Sequence, residues 1–291
     1  MTNGTTALIA ASNRGYPLIV ALLLKHGANL NAQSTEDTTA LMCACTHGFT
    51  DIAFQLLDAG VDVENLNNNG WSPALMAAER GCYQILHRLI KMGADVNVKS
   101  KEAYWTPLMS ASANGYTDIA EELIAHGADI DAQQAGGWTP LMIAIRAGQV
   151  DIVRLLLQHK AKIFDSKEQI RPGQSAAQLK STPDSALPLI GAVLGGHTEI
   201  LSLLLQHGAN PNIRNSRGQT ALMIAAANGS HADIKVLRKV HAVVPVLDDF
   251  GYTVLRMGWV QVKGMIGAGN GDHKAVDTPV SGRLKTQSKK E

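Results

Sequence analysis

Glycine recurs at positions 15, 48, 81, 115, 148, 196 and 229, at intervals of 33, 33, 34, 33, 48 and 33 residues. A near-constant period of this length marks an array of repeats rather than one globular core. Each unit of such an array buries its apolar face against its neighbours only, so the working part is an extended surface. A chain of 291 residues would otherwise suggest two globular domains. The period overrides that expectation and predicts one solenoid.

A second marker begins nine residues ahead of each glycine. It reads Thr6-Ala7-Leu8, Thr39-Ala40-Leu41, Ser72-Pro73-Ala74, Thr106-Pro107-Leu108, Thr139-Pro140-Leu141, Leu187-Pro188-Leu189 and Thr220-Ala221-Leu222. This is the chemistry of a helix start. A Thr or Ser hydroxyl accepts from an orphan N–H of the first turn, and proline loses nothing at the first helical position. Small apolar residues follow, as in Leu141 to Ile145, and the glycine then breaks the chain. A second stretch such as Asp151 to Leu157 places apolar residues at i, i+3 and i+4, one buried helix face. It ends in His-Gly-Ala-Asp, as at residues 126–129, where glycine adopts the left-handed cap and the histidine sits at the negative end of the helix dipole. An Asn/Asp-rich turn such as residues 65–70 leads to the next unit.

The pattern resembles the ankyrin repeat family. The resemblance is carried by the T-P-L triplets, by D/E-I after the inter-helix glycine (Asp51-Ile52, Asp118-Ile119, Asp151-Ile152, Glu199-Ile200), and by the L-L-x-x-G-A-D/N ending at residues 23–29, 123–129 and 204–210. It implies an all-α solenoid with short β-hairpin-like fingers. About seven helix-turn-helix repeats fall at residues 2–34, 35–67, 68–101, 102–134, 135–163, 187–215 and 216–248, with a partial C-terminal repeat at 249–260; the repeat domain is 1–260. Three departures stand out. The family often has His after T-P-L, where this chain has Met42, Met109, Met142 and Met223, which implies softer fingers. Lys160 replaces a capping glycine and Val61 an alanine.

Two regions lie outside the period. The long interval comes from an insertion at 164–186, read as a Pro/Gly/Ser-rich loop that either is tolerated at a finger tip or contacts the partner. The polar tail at 261–291 is expected to be disordered. Its glycines at 267, 269 and 271 lack the Lys-Ser/Thr pair of a phosphate loop.

A net charge of +1 gives no strong pull on nucleic acid or acidic membrane. No run is apolar for long enough to span a bilayer, and residues 1–5 lack the features of a signal peptide. The three cysteines, Cys43, Cys45 and Cys82, are not a disulfide framework. The expectation is an intracellular, cytoplasmic monomer. Four of the ten histidines, His26, His126, His159 and His207, share one structural slot, and no catalytic motif occurs. No enzyme activity, cofactor or metal is expected.

The residue before each triplet reads Thr5, Thr38, Trp71, Trp105, Trp138, Ala186 and Gln219, with Tyr252 in the partial unit. Three of the four tryptophans thus share one slot in successive units. The resemblance places this slot at the base of the finger, on the concave side. The indoles either hold neighbouring fingers in line or form an aromatic stripe for a partner protein, a role in which Trp is enriched. Residues ahead of the inter-helix glycines make an adjacent strip. The candidate partner-binding set is Trp71, Trp105, Trp138, Arg80, Asn114, Arg146, His47 and Tyr104. The function expected is a protein–protein interaction scaffold; the alternatives are a regulator or inhibitor of a partner enzyme, and a secreted host-directed bacterial effector.

Overall fold

The computed structural model describes residues 4–164, 187–240 and 242. They contain fourteen helices in seven pairs: α1 Ala7–Arg14 and α2 Pro17–Lys25, α3 Ala40–His47 and α4 Thr50–Asp58, α5 Pro73–Glu79 and α6 Tyr83–Lys91, α7 Pro107–Asn114 and α8 Thr117–Ala125, α9 Pro140–Ala147 and α10 Val150–Gln158, α11 Pro188–Leu194 and α12 Thr198–Gln206, α13 Ala221–Ala227 and α14 His231–Lys239. No strand occurs among the described residues; one isolated bridge joins Arg214 and Thr220. The insertion from 165 onward, the partial repeat at 249–260, Tyr252 and the tail at 261–291 lie outside the described residues.

Each odd helix starts where its triplet predicts. Thr6, Thr39, Ser72, Thr106, Thr139 and Thr220 accept the N–H three residues on at 3.1 to 3.4 Å, which satisfies one of the first turn's orphan donors. Leu187 has no such oxygen, and α11 begins on Pro188 without a side-chain cap. Two methionines partly fill the role of the missing histidine. The thioethers of Met42 and Met223 accept the cap residue's own N–H at 3.4 and 3.5 Å, closing a reciprocal box.

The inter-helix glycines need both their conformation and their lack of a side chain. Gly15 and Gly81 have φ of 72° and 73°. A Cβ there would lie 2.8 Å from the Phe49 ring and 2.7 Å from the Tyr116 ring of the following unit. The turn is therefore also an inter-unit contact.

Odd helices pack in one row, each against the next, and even helices form a second row behind them. Between the rows runs a continuous core of Leu, Ile, Val, Ala and Met, including Leu41, Ile85, Leu89, Leu108, Ile152 and Leu204. Side chains of the turns after the even helices add a polar ladder. Asn31 accepts from Asp62 N–H, Glu64 from Asp95 N–H, Asn97 from Asp129 N–H and Asp131 from Lys162 N–H, at 2.7 to 3.0 Å. These bonds tie neighbouring units together where the chain is most irregular.

Candidate protein-binding surface

The fingers rise from the N-terminal ends of the odd helices. Each is a tight backbone loop. Asn67 N–H donates to Trp71 C=O at 3.1 Å, Gln134 to Trp138 at 3.1 Å and Asn215 to Gln219 at 2.9 Å. Neighbouring fingers are hydrogen bonded to each other: Asn68 N–H to Glu36 C=O, Lys101 N–H to Asn69 C=O and Ala135 N–H to Ala103 C=O, at 2.8 to 3.2 Å. They form a connected rim rather than independent loops.

The residue before each slot residue turns left-handed. Among the described residues it is Gly4 (φ 65°), Asp37 (54°), Gly70 (74°), Tyr104 (51°), Gly137 (82°) and Gly218 (72°). Glycine adopts this conformation without penalty, whereas a bulky aromatic there is an outlier. Tyr104 is nevertheless 52% exposed. The finger that carries it is one residue longer, closing Ser100 N–H on Trp105 C=O at 3.0 Å. That extra residue accounts for the single 34-residue interval between Gly81 and Gly115.

The three tryptophans occupy the same slot in different surroundings. Trp71 is half-buried and lines a cleft of about 320 Å³ with Thr46, Asn67, Asn69, Met76, Glu79 and Arg80. Trp105 is half-buried, and its indole N–H donates to the buried Ser110 hydroxyl at 2.8 Å. Trp138 is buried, with the Arg146 guanidinium 5.0 Å from its ring centroid. The fold therefore brings Trp71 together with Arg80, and Trp138 together with Arg146.

The remaining candidates are exposed but engaged. Asn114 donates to Ser110 C=O at 3.0 Å and to Glu79 C=O of the preceding unit at 3.5 Å. His47 is hydrogen bonded to Asn13 at 2.9 Å and stacks on Phe49. Glu79 belongs to the strip ahead of the inter-helix glycine that the sequence points to, whereas Asn67, Asn69 and Met76 were not expected at a binding surface. Asn67 accepts from both Asn69 N–H and Trp71 N–H, which shapes the cleft's rim.

Burial pushes the Cys43 thiol up to about 11 and raises Cys45 further, so neither is a nucleophile at neutral pH. No cluster of three or more His, Cys, Asp or Glu among the described residues is arranged to hold a metal ion. No described helix is long and apolar enough to cross a membrane.

Two rows of stacked helices with a hydrogen-bonded rim of fingers define a repeat solenoid of the kind that works as a protein-interaction scaffold. The family of ankyrin repeats in three copies matches residues 8–100, 75–167 and 166–248. The chain belongs to the ankyrin repeat family. Among solved structures it is similar to the human ASB11 ankyrin repeat domain, at 25% identity with a TM-score of 0.66, over 81% of this chain and 98% of that one. In all, 556 solved chains match, a breadth from which no particular partner follows. No curated protein matches.

Proposed function

We propose that the array binds another protein on the concave face formed by its fingers and odd helices, centred on units two to four. The observation that carries this reading is Tyr104. Four described counterpart positions are glycine and one is aspartate, yet this unit holds an exposed tyrosine in a left-handed turn. Such strain costs about 1–3 kcal/mol and persists where the surroundings enforce it, commonly at ligand contacts.

The neighbouring cleft supports the same reading. Trp71 and Arg80 both line it, and Trp and Arg are the residue types enriched at interface hot spots. Glu79 and Asn67 add hydrogen-bonding groups. A partner side chain seated there would bury the Trp71 ring and pair with Arg80. Asn114 joins the region through its hydrogen bond to Glu79 C=O, while Trp138 is buried with Arg146 over its ring.

The test is quantitative affinity capture from the source organism's lysate, comparing wild type with Trp71→Ala/Arg80→Ala. A protein retained by wild type and lost by a variant of unchanged melting temperature supports the reading. Equal retention by both overturns it.

A further inference from the structure

What stands eight residues after the slot tryptophan differs in each of the three units. In unit five it is Arg146, whose guanidinium lies 5.0 Å from the Trp138 ring centroid. A cation within about 6 Å of an indole face is attracted by the ring's negative quadrupole. In unit four the place holds Ala113, and the Trp105 indole N–H is tied to Ser110 at 2.8 Å. In unit three it holds Glu79, which lines the same cleft of about 320 Å³ as Trp71.

Unit three therefore reverses the charge of unit five. Trp138 is closed over by the chain's own cation and is buried. Trp71 is half-buried, and among the described residues no cation covers its ring and no acceptor takes its indole N–H. Glu79 enters no ion pair among the described residues. A carboxylate cannot replace the guanidinium over the ring, because the face of an aromatic ring is itself negative. It can hold a cation that arrives from outside, between itself and the ring.

We infer that the Trp71 cleft takes a basic side chain of the partner, an arginine or lysine whose charged head meets the ring and pairs with Glu79. The partner then supplies to Trp71 what Arg146 supplies to Trp138, and Glu79 adds an attraction that unit five lacks. Met76 and the ring offer apolar surface to the aliphatic stem of such a side chain. Arg80 lines the cleft too; having the same sign as the guest, it pairs with an acidic group beside the basic residue. This rests on the binding function proposed above and divides the cleft between two groups of one partner segment.

The experiment uses the full chain, labelled with nitrogen-15, and follows its tryptophan indole signals by NMR. The probe is N-acetyl-arginine amide, and its neutral isostere N-acetyl-citrulline amide is the control. Trp71→Phe assigns the Trp71 signal. That signal is expected to shift progressively with the arginine compound and at least about three-fold more weakly with the citrulline compound, while the Trp138 signal stays in place under its own Arg146. Glu79→Gln should weaken the response, and Glu79→Arg, which installs the residue of unit five, should abolish it at unchanged melting temperature. An equal response to both compounds, or a response that neither Glu79 variant alters, overturns the inference. Those results leave the wider function standing, since that is decided by partner capture with Trp71→Ala/Arg80→Ala.

Discussion

The Arg146 guanidinium stands 5.0 Å from the centroid of the Trp138 ring, and Trp138 is only 7% exposed. The third tryptophan of the stripe is therefore a packing residue closed over by a cation. Trp138→Ala is expected to cost about 3–5 kcal/mol of stability, the range for removing a buried aromatic. Arg146→Ala should cost about 0.5–1 kcal/mol, the worth of an exposed cation–π contact. Urea unfolding of the two variants checks the order. Comparable losses would mean that the ring is not set in the core as described.

Tyr104 should respond differently from Trp138. Tyr104→Gly puts at this turn the residue that its counterparts Gly70, Gly137 and Gly218 use. Relief of about 1–2 kcal/mol of left-handed strain is set against the greater freedom of glycine in the unfolded chain, roughly 0.5–1 kcal/mol. The melting temperature should hold or rise slightly while partner affinity falls at least ten-fold. A fall in melting temperature of several degrees would show that the tyrosine is structural.

Much of this was legible in the residues. The cap triplets placed every odd helix, and the glycines placed every turn, because both depend on local chemistry. The 34-residue interval already contained the longer finger of unit four. What one slot could not reveal was that its three tryptophans would differ. Their burial depends on neighbours from other parts of the unit, Arg146 over Trp138 and Ser110 beneath Trp105. The Asn and Asp residues read as turn formers. Their bonds to the next unit, such as Asn97 to Asp129, span nearly one full period and become visible only once the units are stacked.

Among the described residues, Lys160 is the turn residue that departs from glycine after an even helix. It holds φ 64°, where Gly27, Gly60, Gly93, Gly127 and Gly208 hold 73° to 93°. Lys160→Gly removes a left-handed penalty of about 1–2 kcal/mol and gives back part of it through chain entropy. A net gain of up to about 1 kcal/mol is expected, read as a higher thermal midpoint. A lower midpoint would show that the lysine side chain contributes more than its backbone costs.

Glu122 links α8 to α6. Its carboxylate is hydrogen bonded to His87 Nδ1 at 2.7 Å and accepts from the Tyr83 hydroxyl at 3.4 Å. The His87 hydrogen bond, with the His87 and His126 charges and the Tyr83 bond behind it, holds its pKa below the usual carboxylate value against the opposing effect of desolvation. A carboxylate depressed in the folded state stabilises fully above its unfolded pKa, about 4.3, and loses that contribution as pH falls through the folded value. The stability difference between wild type and Glu122→Gln should therefore shrink as the pH falls below about 4.3. Urea midpoints across that range check it; a difference independent of pH would contradict the linkage.

The account's central claim is that a partner sits against the fingers rather than the even helices. Photocrosslinking tests this directly. A benzoylphenylalanine is placed at Tyr104 on the finger rim and, separately, at the exposed Gln84 on α6, and each protein is irradiated in lysate. The account predicts a discrete crosslinked partner from position 104 and none from position 84. The same partner captured from position 84 alone would contradict it.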